Sequence, residues 1–179
     1  MSEFAIEVEG GSSVRLPTAG KYCDRDIVVT AKGGGEEVYR KGTWYYMRNM
    51  ILPDVAGVQA YTFQGCVNME YLEMPDLTGN ITGTCDGCTS LKKAIFPKVS
   101  ALGHYVFRGC TALEYVQLGS VGNSITSAMP TAFNGVTQST ITVEIFVDAE
   151  TLAGVTITGI PQNATVIYRN SSTGEVITE

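Results

Sequence analysis

Phe63-Gln64-Gly65-Cys66-Val67-Asn68-Met69-Glu70-Tyr71-Leu72-Glu73-Met74-Pro75 returns 22 residues later as Cys85-Asp86-Gly87-Cys88-Thr89-Ser90-Leu91-Lys92-Lys93-Ala94-Ile95-Phe96-Pro97. It returns again, at the same step, as Phe107-Arg108-Gly109-Cys110-Thr111-Ala112-Leu113-Glu114-Tyr115-Val116-Gln117-Leu118-Gly119. Self-similarity at a fixed period is the mark of a solenoid. One repeat cannot bury its own apolar face, so neighbours must stack.

The second half of the phrase starts one copy earlier. Met47-x-x-Met50-x-Leu52-Pro53-Asp54-Val55 matches Met69-x-x-Leu72-x-Met74-Pro75-Asp76-Leu77. Leu91-x-x-Ala94-x-Phe96-Pro97-Lys98-Val99 and Leu113-x-x-Val116-x-Leu118-Gly119-Ser120-Val121 complete the set. A fifth, degenerate copy, Ala132-Phe133-Asn134-Gly135-Val136, follows Phe107 by 26 residues, with the extra length in Gly122–Ser127.

Each copy divides into two walls. The Leu-x-Leu part reads as a short strand with period-2 alternation, sending Leu72 and Met74, Ala94 and Phe96, Val116 and Leu118 into the core. Pro or Gly ends each strand. The Phe-x-Gly-Cys part reads as the opposite wall, a short helical turn in which Gly65, Gly87 and Gly109 permit the bend. Successive strands should lie parallel, about 4.8 Å apart. The expected class is α/β, rich in β.

Flanking segments read differently. Residues 1–32 suggest a small β module: Phe4, Ile6 and Val8 alternate with Glu3, Glu7 and Glu9, Val14–Leu16 is a short strand stopped by Pro17, and Asp26–Ala31 is β-rich. Gly33–Gly35 reads as a linker, and residues 36–147 as the solenoid. Trp44, Tyr45 and Tyr46 suit a cover for its open end. Residues 148–179 read as a C-terminal β cap, with Ala164–Tyr168 and Glu175–Ile177 flanking the turn Asn170–Gly174 as a hairpin.

The net charge of −6 and pI near 4.8 disfavour a nucleic-acid partner, which requires a basic stripe. No apolar run approaches the ~18 residues that span a bilayer, so no membrane insertion is expected. Met1–Glu9 has neither a basic nor an apolar signal region, which points to cytoplasmic synthesis without a signal peptide. Cys66, Cys88 and Cys110 share one repeat position and read as small, reduced core residues. The sequons at Asn80, Asn163 and Asn170 carry no weight without a secretory context.

These copies resemble the BspA-like, or Treponema pallidum type, leucine-rich repeat, whose phrase is roughly aromatic-x-Gly-Cys-x-x-Leu-x-x-Ile-x-Leu-Pro. The resemblance covers about residues 45–147. Cys85 replaces the aromatic in one copy, and Gly119 replaces the last Pro. The family implies a leucine-rich-repeat solenoid with parallel strands. It also implies a setting on bacterial or protist surfaces, in adhesins, or in proteins encoded by gut phages and prophages. The run Leu16–Ala31 is similar to a short module in structural proteins of phages and prophages from gut Firmicutes, where it often precedes a Gly-rich linker.

Motifs that suggest chemistry have plainer readings. Cys85-Asp86-Gly87-Cys88 is a CxxC, but a zinc site would need a second pair or a His, and the repeat register already accounts for both cysteines. His104 has no motif that supplies a nucleophile or carboxylate. Asp24, Asp26, Asp54 and Asp76 form no dense calcium loop and read as polar turn residues. Gly33–Gly35 lacks the Lys-Ser/Thr of a phosphate loop. No enzyme, metal or cofactor is expected.

The remaining signal lies on the outward strand face. Equivalent positions give a column Asn49, Tyr71, Lys93, Tyr115 and a second column Ile51, Glu73, Ile95, Gln117. A third column, Arg48, Glu70, Lys92, Glu114, alternates in sign and suits an exposed ion-pair ladder. Lys93 would lie between two Tyr rings, where cation–π contact is possible. The face is either ordinary solvated sheet or a recognition surface. The expected function is non-catalytic binding of a protein or a cell-surface glycan. The favoured setting is a phage or prophage accessory or virion protein, such as a tail or host-surface component; a bacterial adhesin and a phage-encoded inhibitor that captures a host protein are the alternatives.

Overall fold

A computed structural model describes residues 48–148, 150, 152, 155 and 164–177, and the strand backbone of 5–7, 27–31 and 36–39. Strands β1 (Ala5–Glu7), β2 (Ile27–Ala31) and β3 (Glu36–Tyr39) precede the repeats. Then come β4 (Asn49–Ile51), β5 (Val55–Val58), β6 (Tyr71–Glu73), β7 (Gly79–Ile81), β8 (Lys93–Phe96) and β9 (Val99–Leu102). They are followed by β10 (Tyr115–Leu118), β11 (Ser127–Ala128), β12 (Thr142–Val147) and β13 (Thr165–Asn170).

The first wall is a seven-stranded sheet in the order β1-β4-β6-β8-β10-β12-β13. All its pairings are parallel. Met50 pairs with Leu72, Leu72 with Ala94, and Ala94 with Val116, so the 22-residue period is the strand register itself. Period-2 alternation sends this row into the core. Met69, Leu91 and Leu113 are buried with it, at 1% exposure or less. Truncating such a residue, as in Leu91→Ala, costs about 2–5 kcal/mol.

The second wall is a strand that the sequence reading missed. β7, β9 and β11 pair in parallel as a separate sheet. Their residues, Gly79-Asn80-Ile81, Val99-Ser100-Ala101-Leu102 and Ser127-Ala128, are poor in the β-branched and aromatic types that signal strands. The backbone takes this form because it pairs with the neighbouring coil, and only Ile81, Val99 and Leu102 among them are buried.

The third wall corrects the expected helical turn, and with it the α part of the class: among the described residues it contains no α-helix. Each Phe-x-Gly-Cys segment is a chain of tight turns. Gln64 N–H donates to the Tyr61 carbonyl, Cys66 to Phe63, and Met69 to Cys66, at 3.1 Å each. The same three bonds recur at Gly83–Leu91 and at Tyr105–Leu113. Gly65, Gly87, Gly109 and Gly135 hold φ of +74°, +71°, +70° and +76°. That left-handed conformation suits the third residue of a type II turn and breaks a helical ladder.

This wall is also bonded from coil to coil. Phe63 N–H donates to the Thr84 carbonyl at 2.9 Å and Gly65 to Asp86 at 2.8 Å. Cys85 donates to Val106 at 2.8 Å and Gly87 to Arg108 at 2.7 Å. Phe107 donates to Ala132 at 2.8 Å and Gly109 to Asn134 at 2.9 Å. Buried main-chain groups are thereby satisfied by the neighbouring coil.

Phe133 fills the degenerate fifth copy as expected, its ring stacked on Phe107 at 5.0 Å between centroids. The inserted residues bulge through a bridge between Ser120 and Asn123, exposing Val121, before Ile125 re-enters the core. β13 extends the main sheet, and the bridge Arg169–Val176 closes the expected C-terminal hairpin. At the other end β1 pairs with β4, while β2 pairs antiparallel with β3 and β5. Val14–Pro17, Gly33–Gly35 and Trp44–Tyr46 lie outside the described residues.

A second left-handed position recurs at Tyr61, Gly83 and Tyr105, with φ of +62°, +58° and +62°. The Tyr61 ring lies across Gly83, where an added Cβ would come within 2.2 Å of ring carbons. Gly83→Ala should therefore lower stability by about 2–4 kcal/mol, from the left-handed backbone and the ring contact together. In a Tyr61→Gly background the cost should fall to the backbone share, about 1–2 kcal/mol. Denaturant melts of the four chains check this; equal costs in both backgrounds would remove the ring contact from the account.

Candidate binding surface

The register assembles the columns read from the sequence. Asn49 pairs with Tyr71, Tyr71 with Lys93, and Lys93 with Tyr115. Ile51 pairs with Glu73, Glu73 with Ile95, and Ile95 with Gln117. All eight side chains are half-buried except Lys93, which is exposed. Their strands bury the alternate residues, so this face of the sheet is directed away from the core.

Lys93 Nζ lies 5.9 Å from the centroid of the Tyr71 ring and 5.0 Å from that of Tyr115. The two ring faces turned toward Lys93 are thus filled by its ammonium. Each hydroxyl is also engaged: Tyr71 donates to Glu73, and Tyr115 donates to Glu144 Oε2 at 3.0 Å. Glu144 Oε1 in turn receives Arg169 Nη2 at 3.0 Å. Beside this group runs the ion-pair column. Glu70 takes Arg48 at 3.3 Å and Lys92 at 2.9 Å. The Lys92 hydrogen bond holds the Glu70 carboxyl below its ordinary range.

Thr142 and Glu144 on β12, and Thr165 and Ile167 on β13, continue the two columns. The sequence reading stopped at Tyr115 and Gln117 because the insertion breaks the 22-residue count after β10. The alternation of buried Ile141, Val143 and Ile145 with half-buried Thr142 and Glu144 was the signal that could have carried it further.

A second polar column, on the turn wall, also went unread. Gln64, Asp86 and Arg108 hold the x of successive Phe-x-Gly-Cys phrases. Asp86 is buried, receives Arg108 Nε at 2.8 Å and Nη2 at 2.5 Å, and takes Gln64 Nε2 at 2.8 Å. A two-point Arg–carboxylate contact is among the stronger polar links available. The Arg108 guanidinium also covers the Tyr105 ring at 4.3 Å. This network ties three coils together.

The chemistry candidates fall into place around these columns. Cys85 sits in the column of Phe63 and Phe107, and Cys88 in that of Cys66 and Cys110, all buried with free thiols. Cys88 Sγ donates to the Phe63 carbonyl at 3.0 Å, and Cys110 Sγ to that of Cys85 at 3.1 Å. Burial pushes the Cys85, Cys88 and Cys110 thiols up, the opposite of what a nucleophile or metal ligand requires. His104 is exposed and its Nδ1 bonds Thr131 Oγ1 at 2.7 Å. Asp76 is paired with Lys98 at 2.6 Å, and Asp54 is half-buried in a turn. Asp24 and Asp26 lie outside the described residues. Among the described residues no helix is long and apolar enough to cross a membrane.

Two predictions follow from these environments. Iodoacetamide should leave Cys66, Cys85, Cys88 and Cys110 unmodified in the native chain and label them only in denaturant, read by peptide mass mapping; prompt native labelling of Cys85 or Cys88 would contradict the packing. Burial first, and the Glu144 carboxylate second, push the Tyr115 hydroxyl up to about 12, from an ordinary value of 10.0. Tyr71 is raised as well, by burial and Glu73. The folded chain then holds protons that the unfolded chain has lost, so stability is level below about pH 10 and falls as pH rises toward about 12. Tyr115→Phe should remove one tyrosine from the late part of a near-ultraviolet absorbance titration, leave that of Tyr71, and soften that alkaline loss.

The family described as the BspA type leucine-rich repeat region matches residues 43–151, in six copies. No curated protein and no solved structure matches the chain.

Proposed function

The chain belongs to the BspA-type leucine-rich repeat family, and from that membership we propose that it is a non-catalytic binding protein whose partner docks on the outward face of the seven-stranded sheet. BspA-type repeats suggest a protein-interaction or adhesin-type role, and this sheet offers the means. One observation carries the reading: Tyr71, Lys93 and Tyr115 stand on consecutive strands as a single ring–cation–ring group, bordered by Ile51 and Ile95. Aromatic and aliphatic groups supply contact area at the centre of an interface, and a charged margin such as Arg48–Glu70–Lys92 supplies its rim.

The same geometry favours a protein over a glycan. Sugars stack on open aromatic faces, whereas the facing sides of Tyr71 and Tyr115 are filled by Lys93 and both hydroxyls are engaged. An adhesin-type setting agrees with family membership. The phage or prophage setting, expected from Leu16–Ala31 and from the occurrence of such repeats in phage proteins, draws no support from the match, which covers residues 43–151.

The test is the double substitution Tyr71→Ala with Tyr115→Ala. Both side chains lie outside the core, so the melting curve should shift little, by the loss of two exposed cation–π contacts of about 0.5–1 kcal/mol each. Binding of a captured protein partner should weaken by at least about 2 kcal/mol, the scale of a hot spot. Full-strength binding by the folded double variant would place the site on another wall.

A further inference from the structure

The described residues hold six lysines and arginines: Arg48, Lys92, Lys93, Lys98, Arg108 and Arg169. Five are matched to carboxylates. Glu70 holds Arg48 and Lys92, Asp76 holds Lys98, Asp86 holds Arg108, and Glu144 holds Arg169. Among these six, Lys93 alone pairs with no carboxylate. It is exposed, at the centre of the sheet face.

The carboxylates nearest to it along the columns are committed elsewhere. The Tyr71 hydroxyl engages Glu73, while the Tyr115 hydroxyl and Arg169 engage Glu144. The rings that flank Lys93 reduce its access to water, yet they use none of its three N–H donors. Such a cation is suited to an incoming acceptor of opposite charge. Ile95 lies two residues further along the same strand, on the same face.

We propose that the partner is a protein segment bearing an Asp or Glu carboxylate beside an aliphatic side chain, the carboxylate docking on Lys93 between Tyr71 and Tyr115 and the aliphatic group on Ile95. This rests on the reading that the outward sheet face is the binding surface. A single cation matches a single carboxylate. A polyanion would meet Glu70, Glu73, Glu114 and Glu144 around it, on a chain of net charge −6.

The experiment pans a displayed random peptide library on the full wild-type chain. Recovered peptides are then measured against wild type, Lys93→Met, and Tyr71→Ala with Tyr115→Ala, each variant first shown to be folded by a cooperative melt. The expected result is enrichment of peptides with Asp or Glu next to Ile, Leu or Val. Their affinity should fall about tenfold or more with Lys93→Met and weaken as salt is raised. Peptides that bind Lys93→Met at full strength but lose affinity for the tyrosine variant would overturn the carboxylate proposal and leave the sheet-face reading standing. Peptides indifferent to both variants would overturn both. Lys93-dependent binding confined to a sialylated glycan panel would assign the carboxylate to another source and overturn the proposal. So would self-association lost in Lys93→Met, or a library that enriches no peptide.

Discussion

Every coil of this protein must return to the same height and register as the one before it, because the coils satisfy one another's backbone. On two walls this is done by parallel sheets. On the third it is done by single bonds such as Phe63 to Thr84, Cys85 to Val106 and Phe107 to Ala132. A coil that slipped by one residue would turn its apolar alternates outward and strand these amides in the core. The fixed spacing of Gly65, Gly87 and Gly109 follows from the same demand, since each marks the point where the chain must pass through the left-handed region to come round again.

The proposed binding face is a consequence of that register. Residues 22 apart in sequence become lateral neighbours, so a cation on β8 meets aromatic rings on β6 and β10 with no further design. Their surroundings then separate two uses of charge. On the turn wall Asp86, Arg108 and Gln64 are buried or bonded together and hold coils in place. On the sheet face the charges are exposed or half-buried and mostly paired, and the exposed pairs contribute little to stability. Among the described residues Lys93 is left without a carboxylate, which is why the proposed recognition centres on it.

Much of this was legible because the repeat phrase translates directly into lateral contact. Tyr71 beside Lys93, Lys93 beside Tyr115, the ion-pair column and the cysteine row all follow from counting. What was not legible had no local signature. Ser127-Ala128 and Gly79–Ile81 become strands only through pairing across coils. The turn wall was read as helical because its phrase is compact; the left-handed glycine that forbids a helix was noted as a bend without its consequence. The column of Asp86 and Arg108 went unread, since their partnership depends on a stacking geometry that composition does not carry. Glu144 and Arg169 were hidden by the insertion around Gly122–Ser127.

The most direct test of this account is native-state hydrogen exchange at the turn wall. If the coils bond to one another there, the amides of Phe63, Gly65, Cys85, Gly87, Phe107 and Gly109 should be protected like those of β6, β8 and β10, and open with them as one unit. If these six amides instead exchange like free surface turns while the sheet stays protected, the third wall is not bonded between coils and the account of the fold fails.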